Sequence, residues 1–333
     1  MLDALLAECA RLGVHIETGA DVRAARRTEG GGFEVESSRG TFAAAKRLVI
    51  AAGGITYSST GSCGDGYALA AAFGHEVELP RPALAALVPA PAFPELAGVS
   101  VSDVELTLHA GRKRLAAVRG PLLFTHTGLS GPAALNLSLE VARLLNAEPQ
   151  STTEDIRPSA FGLRNDSCPE SRTPKAAQAS RSGGETSIIV DFAPTHSREE
   201  LVVALVARAR SETKRTLENS GLDGLPVPAR LGVALAKRTG LDPGRRMGSL
   251  SERDYVRVAG EAKGLSLLLA EPLKSKEAMV TVGGVAMKTL DPKTMESRLV
   301  PGLRFAGEVL APAGPCGGYN LLMAFATGWA AGR

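Results

Sequence analysis

The chain has 333 residues, 38 basic against 35 acidic side chains for a net charge of +3, and 44% hydrophobic with 22% charged residues, ordinary globular values that at roughly 150 residues per domain suggest two or three domains. Its apolar runs, such as 48–55, fall far short of the roughly 20 residues of a membrane span, and no basic block is interleaved with aromatics, so a transmembrane protein and the footprint of a nucleic-acid binder are both excluded. Four separated cysteines (Cys9, Cys63, Cys168, Cys316) form no C-x-x-C pair, and Met1 leads into Asp3, Glu8 and Arg11 instead of a signal-peptide apolar region. That pattern predicts a reduced, cytoplasmic protein with no metal site.

In chain order, Leu2, Leu5, Leu6, Cys9 and Leu12 recur at helical spacing and stop at Gly13, which predicts an amphipathic opening helix. Residues 14–25, 33–37 and 41–43 read as short strands, the first two joined through Gly30, Gly31 and Gly32. The run 48–52 ends in Gly53-Gly54 and predicts a strand buried on both faces of a largely parallel sheet. Ligands of open α/β sheets bind beyond such carboxyl ends. A small-residue helix follows over 67–73, prolines 80 to 94 mark a boundary, and 99–137 alternates as a β-rich insert. Residues 148–184 hold little apolar surface and predict a disordered or loosely attached loop. Strand 188–190, the capping box opened by Ser197 with Glu200, and a helix from Pro228 to Gly240 come next. After Lys276 the α/β pattern returns: strand 278–282 before Gly283-Gly284, strand 303–306 before Gly307-Glu308, and helix 321–331, apolar on nearly every side and so expected to be buried.

The glycine pairs carry the functional signal. Any one of them alone reads as a tight turn. In this order, with Gly317-Gly318-Tyr319-Asn320 opening the last helix, they describe a flavin-binding α/β domain interrupted by a substrate domain. Glu308 would offer its carboxylate to ribityl or sugar hydroxyls, and the last helix would aim its positive end at the pyrimidine edge of the flavin. His126 is either a proton donor near the flavin or a hydrogen-bonded loop histidine. Cys316 lacks a partner thiol nearby, and Lys214, Arg215, Lys237, Arg238, Arg245 and Arg246 read as a solvated basic face.

The stretches 49–54, 60–67, 124–132, 282–285 and 294–297, with Gly307-Glu308 and residues 317–320, resemble the BaiN-like flavoproteins, bacterial NAD(P)/FAD-dependent oxidoreductases also known as an aminoacetone oxidase family. The resemblance covers nearly all of the chain outside 148–184. It implies an α/β fold: an FAD/NAD(P)-binding Rossmann-like domain over 1–87 and 276–333, a β-rich insert over 88–197 and a helical subdomain over 198–275. It also implies FAD held by Gly53, Gly54, Gly307, Glu308, Gly317, Gly318, Tyr319 and Asn320, with NAD(P)H as electron donor and a small-molecule substrate. Two departures stand out. Such proteins begin with a strand, a G-x-G-x-x-G turn and a helix, whereas this chain offers only Gly61, Gly64 and Gly66 after its second element, so it resembles a member lacking its amino-terminal nucleotide-binding segment. Ala311-Pro312-Ala313 also stands where relatives carry an acid, which removes part of the implied ribityl contact.

The expected function is hydride transfer between NAD(P)H, flavin and a small organic substrate, without nucleic-acid or membrane partners. The alternatives are a non-catalytic remnant of such a flavoprotein or a fumarate-reductase-like enzyme. The latter would want an Arg and His cluster for a dicarboxylate, and His109, Arg112, Arg114, Arg119 and His126 form no evident one in the sequence.

Overall fold

The computed structural model describes residues 2–44, 46–147, 186–269 and 277–333. The predicted loop 148–184 lies outside them. The chain opens with α1 (Leu2–Arg11), then β1 (Val22–Arg27), β2 (Phe33–Ser37) and β3 (Gly40–Ala44), a three-stranded antiparallel sheet. Residues 14–21 stay outside any strand. The first hairpin turns at Gly31, whose φ of +81° suits glycine, and closes with Gly31 N–H donating to Thr28 O. β4 (Leu48–Ile50) and α2 (Asp65–Ala72) follow.

The middle of the chain contains β5 (Val77–Ala83), β6 (Pro89–Ala90), β7 (Ser100–Ala110), β8 (Lys113–Phe124), β9 (Leu129–Ser130), α3 (Gly131–Ala147), β10 (Thr186–Asp191), α4 (Arg198–Ser211), α5 (Leu217–Ser220), α6 (Ala229–Arg238), α7 (Glu252–Gly264) and β11 (Leu265–Leu269). The carboxyl part is β12 (Val280–Val285), β13 (Leu303–Phe305) and α8 (Tyr319–Gly332). β6, β11, β10, β7, β8 and β9 form one antiparallel sheet in that order, β5 pairs antiparallel with β12, and β4 pairs in parallel with β13.

Burial explains the packing. Leu106, Leu108, Leu122, Ile188 and Val190 of the large sheet share one core with Leu201, Leu205, Leu235 and Val258 of the helices behind it. A second core joins Phe33, Ile50, Tyr67, Val77, Phe305 and Val309 around the parallel pair. α3 serves both sides of a seam: Ala133, Ala134 and Leu137 face the large sheet, while Leu135, Leu139 and Ala142, at helical spacing, pack on Val280 and Val282.

Four expectations need correction. The β-rich reading of 99–137 overran, because alternation ends at Ser130 and the chain turns helical with Pro132 in the first turn, where its missing N–H costs nothing. Val49 is 44% exposed, so β4 is not buried on both faces; among the described residues it pairs only with β13. α8 was expected to be buried, yet Leu321 and Leu322 are each 66%, Phe325 55% and Trp329 63% exposed, with only Ala330 and Ala331 buried. Cys63 is disulfide-bonded while Cys9 and Cys316 carry free thiols, so the thiols are not all reduced.

Candidate functional site

The carboxyl ends of β4 and β13 meet around a polar knot. Gly53 turns the chain at φ +75°, and Gly54 sits so close to its neighbours that a Cβ there would lie 2.2 Å from Thr281 Oγ1 and 2.6 Å from Glu308 Oε1. Thr281 is fully buried; its Oγ1 accepts from Ile55 N–H at 2.9 Å, and its own N–H donates to Glu308 Oε1 at 2.7 Å. The Thr56 hydroxyl donates to the same oxygen at 3.1 Å. Glu308 therefore joins three segments through one oxygen. The Tyr67 ring packs beneath, and burial, reinforced by the Glu308 charge, holds its phenol well above the ordinary range.

The glycines divide into two kinds. A Cβ on Gly283 would come within 2.3 Å of Leu79 O and one on Gly284 within 2.6 Å of Val309 O, so that pair lets backbones touch. Gly64, at the N-cap of α2, and Gly66 likewise face Ile55, Val309 and Ala52 at about 3 Å. Gly307 and Gly318 differ: both have positive φ, +76° and +89°, and nothing lies within 4 Å of a Cβ at either. They are open positions beside Glu308 and at the start of α8.

α8 is fastened at both ends while its outer face is bare. Gly307 N–H donates to Thr327 Oγ1 at 2.9 Å, and buried Arg304 donates to Ala331 O at 2.9 Å while paired with Glu296 at 3.0 Å. The Gly302 N–H and the Arg304 guanidinium hold the Glu296 carboxyl below the usual range. Ahead of the helix, Asn320 Oδ1 accepts from Gly314 N–H at 2.7 Å and its Nδ2 donates to Gly314 O at 2.9 Å. Tyr319 is exposed. On the far side of residues 311–313 lies a cleft of about 550 Å³ whose lining includes Glu76, Glu78, Arg143 and Lys288; burial and the nearby Glu76 charge raise the Glu78 carboxyl.

The sequence-predicted residues thus form two groups. Gly53, Gly54, Gly307 and Glu308 come together at the parallel pair, and Gly317, Gly318, Tyr319 and Asn320 form the start of α8. His126 stands apart: it is exposed in the turn after β8, which Thr125 N–H closes by donating to Gly128 O at 2.8 Å, and it makes no hydrogen bond or ion pair among the described residues. Sequence reasoning missed Thr281 and Thr56, whose contacts span more than 200 residues.

The open glycines and Glu308 fit the ring and ribityl part of a flavin. Oε2 of Glu308 takes no hydrogen bond among the described residues, and the first-turn amides of α8 carry the positive end of a 14-residue helix. Of the glycines around the start of α2, Gly64 and Gly66 are filled by packing and Gly61 is open.

Residues 1–333 match the model of the HI0933-like protein Rossmann domain. The chain belongs to that family. It is 30% identical to the 3-dehydro-bile acid delta(4,6)-reductase of Clostridium scindens, over 100% of this chain and 72% of that protein. It is 28% identical to the ribosomal RNA dihydrouridine synthase of Escherichia coli, over 99% of this chain and 70% of that one. The Haemophilus influenzae protein of the same name is 28% identical over 86% of this chain and 59% of its own length. The HI0933-like Rossmann α/β class is the fold that the sequence pattern predicts, and no helix among the described residues is long and apolar enough to cross a membrane.

Proposed function

We propose that the chain acts as an FAD-dependent oxidoreductase that reduces a carbon–carbon double bond conjugated to a carbonyl, with NAD(P)H as the hydride source, in the cytoplasm. The observation that carries this reading is the pair of open glycines, Gly307 beside Glu308 at the carboxyl end of a parallel strand pair and Gly318 at the start of α8. The printed activities of the relatives support the reaction class. A 3-dehydro substrate with 4,6 unsaturation is a dienone, and a dihydrouridine is a uridine whose ring double bond, conjugated to a carbonyl, has gained two hydrogens.

FAD, when bound, supplies a two-electron carrier between nicotinamide and substrate. The chain's own groups do the rest. Glu308 Oε2 would accept from a ribityl or sugar hydroxyl while Oε1 keeps the acid fixed to Thr281. The amides of Tyr319 and Asn320 would offer hydrogen-bond donors to negative charge on a bound flavin. Such a reduction adds one hydride and one proton across the double bond, and the exposed His126 imidazole is the proposed proton donor.

With FAD well above micromolar and NADPH or NADH present, the absorbance of a steroid 4,6-dien-3-one is expected to fall, and Gly318→Val is expected to lower bound flavin several-fold in equilibrium dialysis. A dienone left intact while RNA gains dihydrouridine would transfer the same chemistry to a nucleotide substrate. Unchanged flavin binding in Gly318→Val removes the placement at α8, and a chain that binds no flavin at any concentration is the non-catalytic remnant.

A further inference from the structure

Apart from His126, the stretch 124–132 and the helix that follows it have no task in the flavin reading. The glycines of this stretch work by close approach: a Cβ on Gly128 would sit 2.2 Å from Leu87 O, and one on Gly131, at φ +85°, would sit 3.0 Å from Leu123 N and Pro121 O. The segment is pressed backbone to backbone against its sheet, which fixes where α3 starts. Ser138 then accepts from Ala85 N–H at 3.0 Å, and Leu135, Leu139 and Ala142 pack on β5 and β12. α3 is a rigid mount.

Two side chains leave this mount toward the same target. Asn136 Oδ1 accepts from Cys316 N–H at 2.7 Å, and Arg143 Nη2 donates to Ala313 O at 2.7 Å. They are seven residues apart, two helical turns, and so lie on one face of α3. Beyond Cys316 the backbone runs through Gly317 at φ +124° and Gly318 at φ +89°, two residues that restrain it least.

We propose that Asn136 and Arg143 are positioning residues: they fix the backbone of 313–316 from α3 and thereby aim the glycine pair and the opening amides of α8. This rests on the reading that a flavin ring is received there. An amide array binds well only when it is ordered beforehand, and the glycines cannot order it themselves. The mount supplies from the insert what the cofactor segment lacks.

The test separates the clamp from its use. Asn136→Leu removes the acceptor at similar volume, and Asn136→Asp keeps one. Hydrogen exchange over 313–318 reads the clamp; equilibrium dialysis of lumiflavin, the flavin ring without phosphate or adenosine, reads the consequence. Asn136→Leu is expected to exchange the Cys316 amide at least tenfold faster and to bind lumiflavin about tenfold more weakly, a change of about 1.4 kcal/mol, while exchange elsewhere is unchanged. Asn136→Asp restores both. Arg143→Met, altering a half-exposed side chain, is expected to shift exchange at 313–314 in the same direction and carries the test if Asn136→Leu fails to fold. Unchanged exchange in the Leu variant, or equal losses in Leu and Asp, overturns the proposal. If lumiflavin fails to bind the parent chain while exchange responds as expected, the flavin reading falls and the clamp stands.

Discussion

His75 shows how much one buried ring can organise. It is 4% exposed, edge-on to Phe305 at 4.7 Å. Ser297 Oγ already accepts from the amides of Leu299 and Val300, so its only proton goes to His75 Nε2 at 2.8 Å. Nδ1 therefore carries the ring proton and donates to Thr289 Oγ1 at 2.9 Å, which donates onward to Ala286 O. The neutral ring is the only form that satisfies all four groups. Burial lowers its pKa from the ordinary 6.5. The unfolded chain thus takes up the proton first, and the stability this ring provides is full above about pH 6.5 and is lost as pH falls toward the folded value. Urea unfolding of the parent is expected to weaken between pH 7 and 5 more steeply than that of His75→Gln, by at most about 1.4 kcal/mol per pH unit for one proton. Parallel slopes would show that His75 does not carry the effect. None of this is visible in sequence, because Ser297 lies 222 residues away.

Among the elements, those with complete local signals are legible and those that depend on neighbours are not. Ser197 and Glu200 form the expected capping box, with Ser197 N–H donating to Glu200 Oε2 at 2.7 Å. α7 escapes the sequence reading although Ser251 and Asp254 cap it in the same way and Tyr255, Val258, Ala259 and Ala262 recur on one face; an aspartate in place of glutamate hides the box. α8 is legible as a helix and misread as buried, since apolar content reveals what an element prefers and not whether anything covers it. Its bare face gives a direct prediction. Leu322→Lys is expected to leave stability within about 0.5 kcal/mol, as surface changes do, and to reduce self-association in light scattering; a loss of several kcal/mol would mean that the residue is covered in solution.

At the scale of the molecule, the large sheet and its helices complete their own core, while the parallel pair has only two strands among the described residues. Parallel sheets are ordinarily covered on both faces, and here Val49 and α8 face solvent. The carboxyl-edge glycines are readable from spacing and the family from the motifs that resemble it; the knot at Thr281 and Glu308 is not, because it exists only once β12 lies against the ends of β4 and β13.

The bare face of α8 also has an optical consequence. Trp329 is the only tryptophan of the chain, and the Arg333 guanidinium stacks 3.9 Å from its ring centroid while the rest of the indole meets water. All indole emission from this protein comes from that one helix face. A red-lying band is the signature of the uncovered surface, and anything that settles on α8 would move it to the blue, so this bare face reports on itself without a label.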